Sequence, residues 1–151
     1  KSFLMNPDFG CVDLPHDFTF DSPKWEKYLH DYGYTIVRNV VSPDDVKAAR
    51  SKFFDYIEGV GNGMKRTDQS TCTRQRWVAH RNGIANVNGQ NYIDAAWHLR
   101  LNPSVKRVFA KLWKTEDLIC SMDTFFVWRQ WWRSQEKANW KPKTAGLHFD
   151  Q

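Results

Sequence analysis

Cysteine is scarce in this sequence of 151 residues. There are three, Cys11, Cys72 and Cys120, an odd number with no two closely spaced. That argues against a disulfide framework and a thiolate zinc cluster, and it suits a reducing compartment. No apolar run approaches the roughly 18 residues of a membrane-crossing helix. The opening Lys1-Ser2-Phe3-Leu4-Met5-Asn6 lacks the apolar core of a signal peptide. The expected location is therefore intracellular and cytoplasmic, without membrane attachment. Charge of one sign does not run together: the net charge is +5, with Lys and Arg scattered. Nucleic acid is thus not an expected partner, although a basic, Trp-rich surface is what a single-strand binder would use. The nucleophile elbow of serine hydrolases is missing. Gly59, Gly61 and Gly63 follow a helical pattern rather than a strand, so they fail as a dinucleotide fingerprint. Repeats and low-complexity segments are also absent.

What is plentiful is aromatic surface: 15% of residues, eight of them Trp. Such side chains bury large areas and can build a core or wall a pocket. Residues 1–23, punctuated by Pro7, Pro15 and Pro23, read as an extended arm held to the domain by Phe3, Phe9, Phe18 and Phe20. Ser22-Pro23 opens a short helix with Trp25, Tyr28 and Leu29 on one face, and Gly33 stops it. Tyr34 to Val41 is β-branched and aromatic, hence a strand. Ser42-Pro43-Asp44-Asp45 has the cap, the first-turn proline and the acidic charges of a helix start, and Val46, Ala49, Phe53 and Ile57 predict an amphipathic helix over 43–58. A mobile surface loop follows from Gly59 to Arg76. Helices are expected over 91–100, with Tyr92, Ala96 and Leu99 inward, and after Asn102-Pro103, with Val105, Val108, Phe109 and Leu112 inward. Leu118 to Gln130 reads as a long strand, Trp131 to Lys143 as a polar aromatic loop, and Ala145 to Gln151 as a further strand. The chain begins with Lys and stops just after a candidate metal motif, so the expectation is a piece of a longer polypeptide.

That motif is His148-Phe149-Asp150. On a strand, residues i and i+2 point to one face, so an imidazole nitrogen and a carboxylate oxygen can reach the same cation. With one more His they would make the facial triad of non-haem Fe(II) enzymes, which leaves coordination positions open for a cosubstrate and O2. Taken alone, the triplet fits a structural histidine as well as a ligand. Of the other histidines, His98 lies on a helix among apolar residues, His16 in the arm and His30 at a helix end. Each suits packing or solvent better than metal. Asp44 and Asp45 read as helix-terminal charges rather than a catalytic pair.

The run Gly33-Tyr34-Thr35-Ile36-Val37-Arg38-Asn39-Val40-Val41 into Ser42-Pro43-Asp44-Asp45-Val46 resembles the opening of phytanoyl-CoA dioxygenase-like proteins. The Asn102-Pro103 helix ending at Leu112-Trp113, Thr115-Glu116-Asp117-Leu118, the strand Ser121 to Gln130 and Gly146-Leu147-His148-Phe149-Asp150-Gln151 continue the likeness in order. The resemblance covers about residues 33–151. It implies an α+β fold: the N-terminal portion of a double-stranded β-helix (jelly-roll, cupin-like) core with helices packed outside. Residues 1–32 would then be an arm and short helix, and 33–151 the N-terminal part of the jelly-roll domain. It also implies Fe(II) and 2-oxoglutarate as cofactors, with His148 and Asp150 as metal ligands. The reaction implied is hydroxylation of an apolar small molecule or acyl thioester by O2, as 2-oxoglutarate becomes succinate and CO2. Asp150 favours hydroxylation or desaturation over halogenation, because related halogenases carry a small residue there.

The cosubstrate's strand contact would fall near Phe125. Arg129 is the basic candidate for an anion contact, or else a solvated strand end. Trp128, Trp131 and Trp132 would wall a substrate pocket, with core packing the alternative. In that family a distal His and a carboxylate-binding Arg follow several strands later, and neither is among these residues. A second segment or chain would then complete the domain. The competing expectation is a non-catalytic binding domain that kept the fold.

Overall fold

A computed structural model describes residues 17–80, 82–85, 89–128 and 140–141. These residues are α+β and fall into two compact units. The first gathers the described residues up to Phe53 together with Asp94–Ser121. The second gathers Phe54–Ile93 and the described residues from Met122.

In the first unit, strand β1 (Asp17–Thr19) pairs in parallel with β2 (Ile36–Arg38), with Phe18 opposite Val37. Helix α1 (Lys24–Tyr32) connects them. It ends where the sequence predicts, at Gly33. That residue takes φ 78° and donates its N–H to the Leu29 carbonyl at 2.8 Å, a conformation glycine adopts without a Cβ penalty. Arg38 forms an ion pair with Asp17 across the two strands. The β1 segment was expected to be part of an extended arm, and pairing with β2 gives it a register. Phe18 and Phe20 do hold it down. The Phe18 ring lies 5.5 Å from that of Tyr28, and Trp25, fully buried, donates its indole N–H to the Phe20 carbonyl at 3.1 Å. Tyr28 stacks on Tyr32 at 4.4 Å and donates its hydroxyl to Tyr34 at 3.2 Å. Loss of hydration and that bond push the Tyr28 hydroxyl up to about 12.

Helix α2 (Pro43–Gly59) starts at the predicted cap: the Asp45 N–H reaches Ser42 Oγ at 3.0 Å. Helix α3 (Asp94–Arg100) is shorter than expected, because residues Gln90–Tyr92 form a 3-10 turn instead and Tyr92 is exposed. Helix α4 (Pro103–Trp113) is capped by the buried Asn102, whose Oδ1 accepts from the Ser104 N–H at 2.9 Å.

The inward face of α4 departs from the expected one at Phe109, which is exposed; Val105, Val108 and Leu112 are half-buried, and Ala110 is the buried residue. Arg107, 4.1 Å above the Phe20 ring, and Lys111, 5.2 Å above Phe20 and 5.0 Å above Trp25, take the side towards β1 and α1. Their charge is drawn to the ring faces, while Lys111 also reaches Glu26 at 3.1 Å. Periodicity of apolar residues misses a stripe built by cations on aromatics. The same rule overstates Val46 and Leu99, both of which are exposed.

Helix α4 ends on Lys114, a non-glycine residue at φ 56°. A side chain there is strained and glycine is not. Lys114→Gly is expected to stabilise the protein by about 0.5–1 kcal/mol, read as a higher urea midpoint.

The second unit has its core at Ile57, Met64, Cys72, Val78, Ala85 and Ile93. The glycine-rich stretch after α2 is therefore anchored, unlike the mobile surface loop predicted: it sends Met64 and Cys72 inward. Arg66 secures it by ion pairs to Asp55 and to Glu58 at 3.0 Å, its backbone N–H meeting Glu58 Oε1 at 2.6 Å. The guanidinium holds the Glu58 carboxyl below the usual carboxylate range.

Candidate metal and cosubstrate site

In the second unit, the candidate residues Phe125 and Trp128 are carried by or lie beside a small antiparallel ladder. Ala79 bridges Ala85, and Ile84 bridges Phe126. His80 N–H donates to the Ile84 carbonyl at 2.8 Å, closing a tight turn. On the other side, Ala85 N–H reaches the Phe125 carbonyl at 3.1 Å and Val127 N–H reaches the Gly83 carbonyl at 2.9 Å. Ile84 and Phe126 are thus a non-hydrogen-bonded pair with neighbouring side chains.

The predicted strand over 118–130 makes this pairing only near its end. Leu118 to Thr124 carry no ladder among the described residues, and Ile119 is almost fully exposed. Phe125 is half-buried, its ring 6.5 Å from that of Tyr56 in an edge-on contact. Burial raises the Tyr56 hydroxyl above its ordinary value. Trp128 is half-exposed and donates its indole N–H to the Asn82 carbonyl at 3.2 Å. His148, Asp150, Arg129, Trp131 and Trp132 lie outside the described residues.

The structure gives the turn a cause that sequence reasoning passed over. Asn82-Gly83 is a strong hairpin signal, because both residues tolerate unusual backbone angles. Asn82 Oδ1 accepts the Ile84 N–H at 3.1 Å, and Gly83 sits at φ 95°. Its missing Cβ is also where the Trp128 indole lies: a Cβ there would come within 1.9 Å of Trp128 Nε1. Ile84 and Tyr56 were likewise missed. Neither belongs to a motif, and both are placed by contacts distant in sequence.

Among the described residues no three His, Cys, Asp or Glu side chains gather as a metal group. His30 and His80 are exposed. His98 Nε2 lies 3.2 Å from Asp45 Oδ1 at the start of α2, a charged neighbour where its sequence context suggested apolar packing. Asp45 also accepts from the Ser42 hydroxyl at 2.7 Å. The Ser42 bond first, then Asn102 and His98, hold the Asp45 carboxyl below the ordinary aspartate range.

A carboxyl depressed in the folded state contributes stability above its unfolded pKa. That contribution is lost as pH falls through the folded value. Asp45→Asn is therefore expected to be less stable than the parent at neutral pH, with the gap closing as pH drops from about 5 towards 2. Thermal melts across that range check it. An undiminished gap at the acid end would assign the loss to something other than the ionised carboxyl.

Set beside known proteins, the chain is 31% identical over 124 residues to "Ava biosynthesis cluster protein O" of Aspergillus versicolor, covering 78% of this chain and 39% of that protein. It is 30% identical over 101 residues to "Putative phytanoyl-CoA dioxygenase" of Dictyostelium discoideum, covering 64% of this chain and 29% of that protein. The chain thus spans well under half the length of these curated relatives. No family model matches it, and no solved structure does. The second likeness relates the chain to an oxygenase-type enzyme family and agrees with the resemblance read from residues 33–151.

Proposed function

We propose that the protein containing this chain is an Fe(II)- and 2-oxoglutarate-dependent oxygenase that hydroxylates an apolar small molecule or acyl thioester. The observation that carries the reading is the triplet His148-Phe149-Asp150, and the 30% identity to "Putative phytanoyl-CoA dioxygenase" supports it. In this reading His148 and Asp150 hold the metal from one face of a strand, and a histidine elsewhere in the whole protein completes the triad. The bound iron would supply O2 activation coupled to decarboxylation of 2-oxoglutarate.

The ladder of 79–85 and 125–127 would belong to a jelly-roll core. Phe125 and Arg129 are the residues proposed to meet the cosubstrate, and Trp128, Trp131 and Trp132 those proposed to wall the substrate pocket. Trp128 is supported in that role by its half-exposed ring, fixed through Asn82.

The test is succinate formation by the whole protein with Fe(II), ascorbate and 2-oxoglutarate, with and without a panel of apolar compounds and acyl thioesters. Turnover above a metal-free control is expected. Its absence under every condition would reject the oxygenase in favour of a binding domain on the same fold.

A further inference from the structure

The dipeptide Asn-Gly occurs at Asn62-Gly63, Asn82-Gly83 and Asn88-Gly89. Asparagine is a chemically labile residue. It is most labile before glycine, because the next backbone nitrogen can attack the side-chain amide and glycine has no Cβ to hinder the approach. The attack needs an asparagine side chain free to turn back on the main chain, and a following N–H without another partner. Asn88 lies outside the described residues, but the structure separates the other two sites on both requirements. Asn82 is held at its side chain and on both sides of its peptide. Its Oδ1 accepts from the Ile84 N–H at 3.1 Å and its carbonyl from the Trp128 indole at 3.2 Å. The Gly83 N–H, whose nitrogen would have to attack, donates to the His80 carbonyl at 3.0 Å. Asn62 instead lies in an exposed bend just after α2. Among the described residues its side chain has no hydrogen-bond partner, and neither has the Gly63 N–H. What Gly63 does engage is its carbonyl, which accepts from Arg76 Nη1 at 3.2 Å and leaves the nitrogen free.

We infer that Asn62 is a site of spontaneous deamidation, and that Asn82, in the same dipeptide, is protected from it by its turn. A base in solution takes the proton from the Gly63 nitrogen, and that nitrogen attacks Asn62 Cγ. The new N–Cγ bond closes a succinimide ring, the Cγ–Nδ2 bond breaks, and ammonia leaves. Water then opens the ring. Attack at Cγ gives aspartate, and attack at the main-chain carbonyl gives isoaspartate. The net change is amide plus water to carboxylic acid plus ammonia, with no oxidant or reductant. Either product places a negative charge in the loop after α2. Isoaspartate also adds a methylene to the main chain two residues before Met64, which is 1% exposed in the core. The inference is independent of the oxygenase reading and of any bound metal.

The experiment incubates the whole protein at mildly alkaline pH, folded in one series and in denaturing urea in the other. Samples are digested at acid pH, where the reaction is slow. Mass spectrometry reads the fraction of each Asn-Gly peptide converted to the acid, and chromatography separates aspartate from isoaspartate. In urea the three sites are expected to convert at similar rates, since the folded hydrogen bonds are gone. In the folded protein Asn62 should keep most of its urea rate. Asn82 should fall at least about tenfold below Asn62, because the bonds of its side chain and of the Gly83 N–H must break first. Asn62→Gln, whose longer side chain has to close a larger ring, should stop the conversion at 62. Its melting temperature and the conversion at the other sites should match the parent.

An Asn62 that stays intact in the folded protein over a time that converts it in urea overturns the inference. So does an Asn82 that converts as fast as Asn62 in the folded state, since the turn would then give no protection.

Discussion

In the whole protein, His148→Ala and Asp150→Ala are each expected to lower 2-oxoglutarate-dependent succinate formation by more than about 100-fold, with loss of stoichiometric Fe(II). The size follows from what each side chain would supply. A three-ligand site deprived of one ligand holds a divalent ion with two side chains, and even loss of an outer-shell partner costs about 10–100-fold in affinity or activity. Replacing Asp150 also removes the one negative charge of the His-x-Asp pair. Metal analysis after dialysis and a succinate assay at saturating iron separate the two effects. Excess iron should restore part of the lost rate if the defect is affinity, and none if the remaining ligands cannot orient the metal. A variant that keeps one bound iron and a normal rate would remove its residue from the metal site.

The second large effect concerns Gly83. Gly83→Ala is expected to destabilise the protein by about 3 kcal/mol. Roughly 1 kcal/mol comes from forcing alanine into positive φ, and about 2 kcal/mol from overpacking against Trp128. The close approach of the Trp128 indole to the backbone makes the second part specific. In a Trp128→Ala background the same substitution should therefore cost only about 1 kcal/mol. The coupling of about 2 kcal/mol is read from a double-mutant cycle in urea. Equal costs in both backgrounds would mean that the backbone angle alone fixes glycine there.

The helices were legible in the sequence because their ends are local chemistry. Ser42, Asn102-Pro103 and Gly33 each act on backbone groups within a few residues, and all three do in the structure what their residue types predict. The faces of the helices were less legible. Arg107 and Lys111 pack on Phe20 and Trp25 through ring electrostatics, an interaction that an apolar period does not register. Strand pairing was the least legible, since Asp17 opposite Ile36 and Ile84 opposite Phe126 are matched by tertiary position. The β-prone run from Leu118 gave the right segment for the ladder but not the short part that pairs. At the candidate site the residue types of the metal motif were visible at once. The packing of Phe125 against Tyr56 was not, because the two lie some seventy residues apart in the chain.

The junction of Ser42, Asp45, His98 and Asn102 has a consequence for how the first unit comes apart. It links the opening turn of α2 to the last turn of α3 and to the cap of α4, both of which lie more than fifty residues further along the chain. Fraying of the α2 end removes Asp45 from both of the other two. The amide protons of their terminal turns should therefore exchange with deuterium together, in a shared opening event, instead of at the separate rates of three independent helix ends.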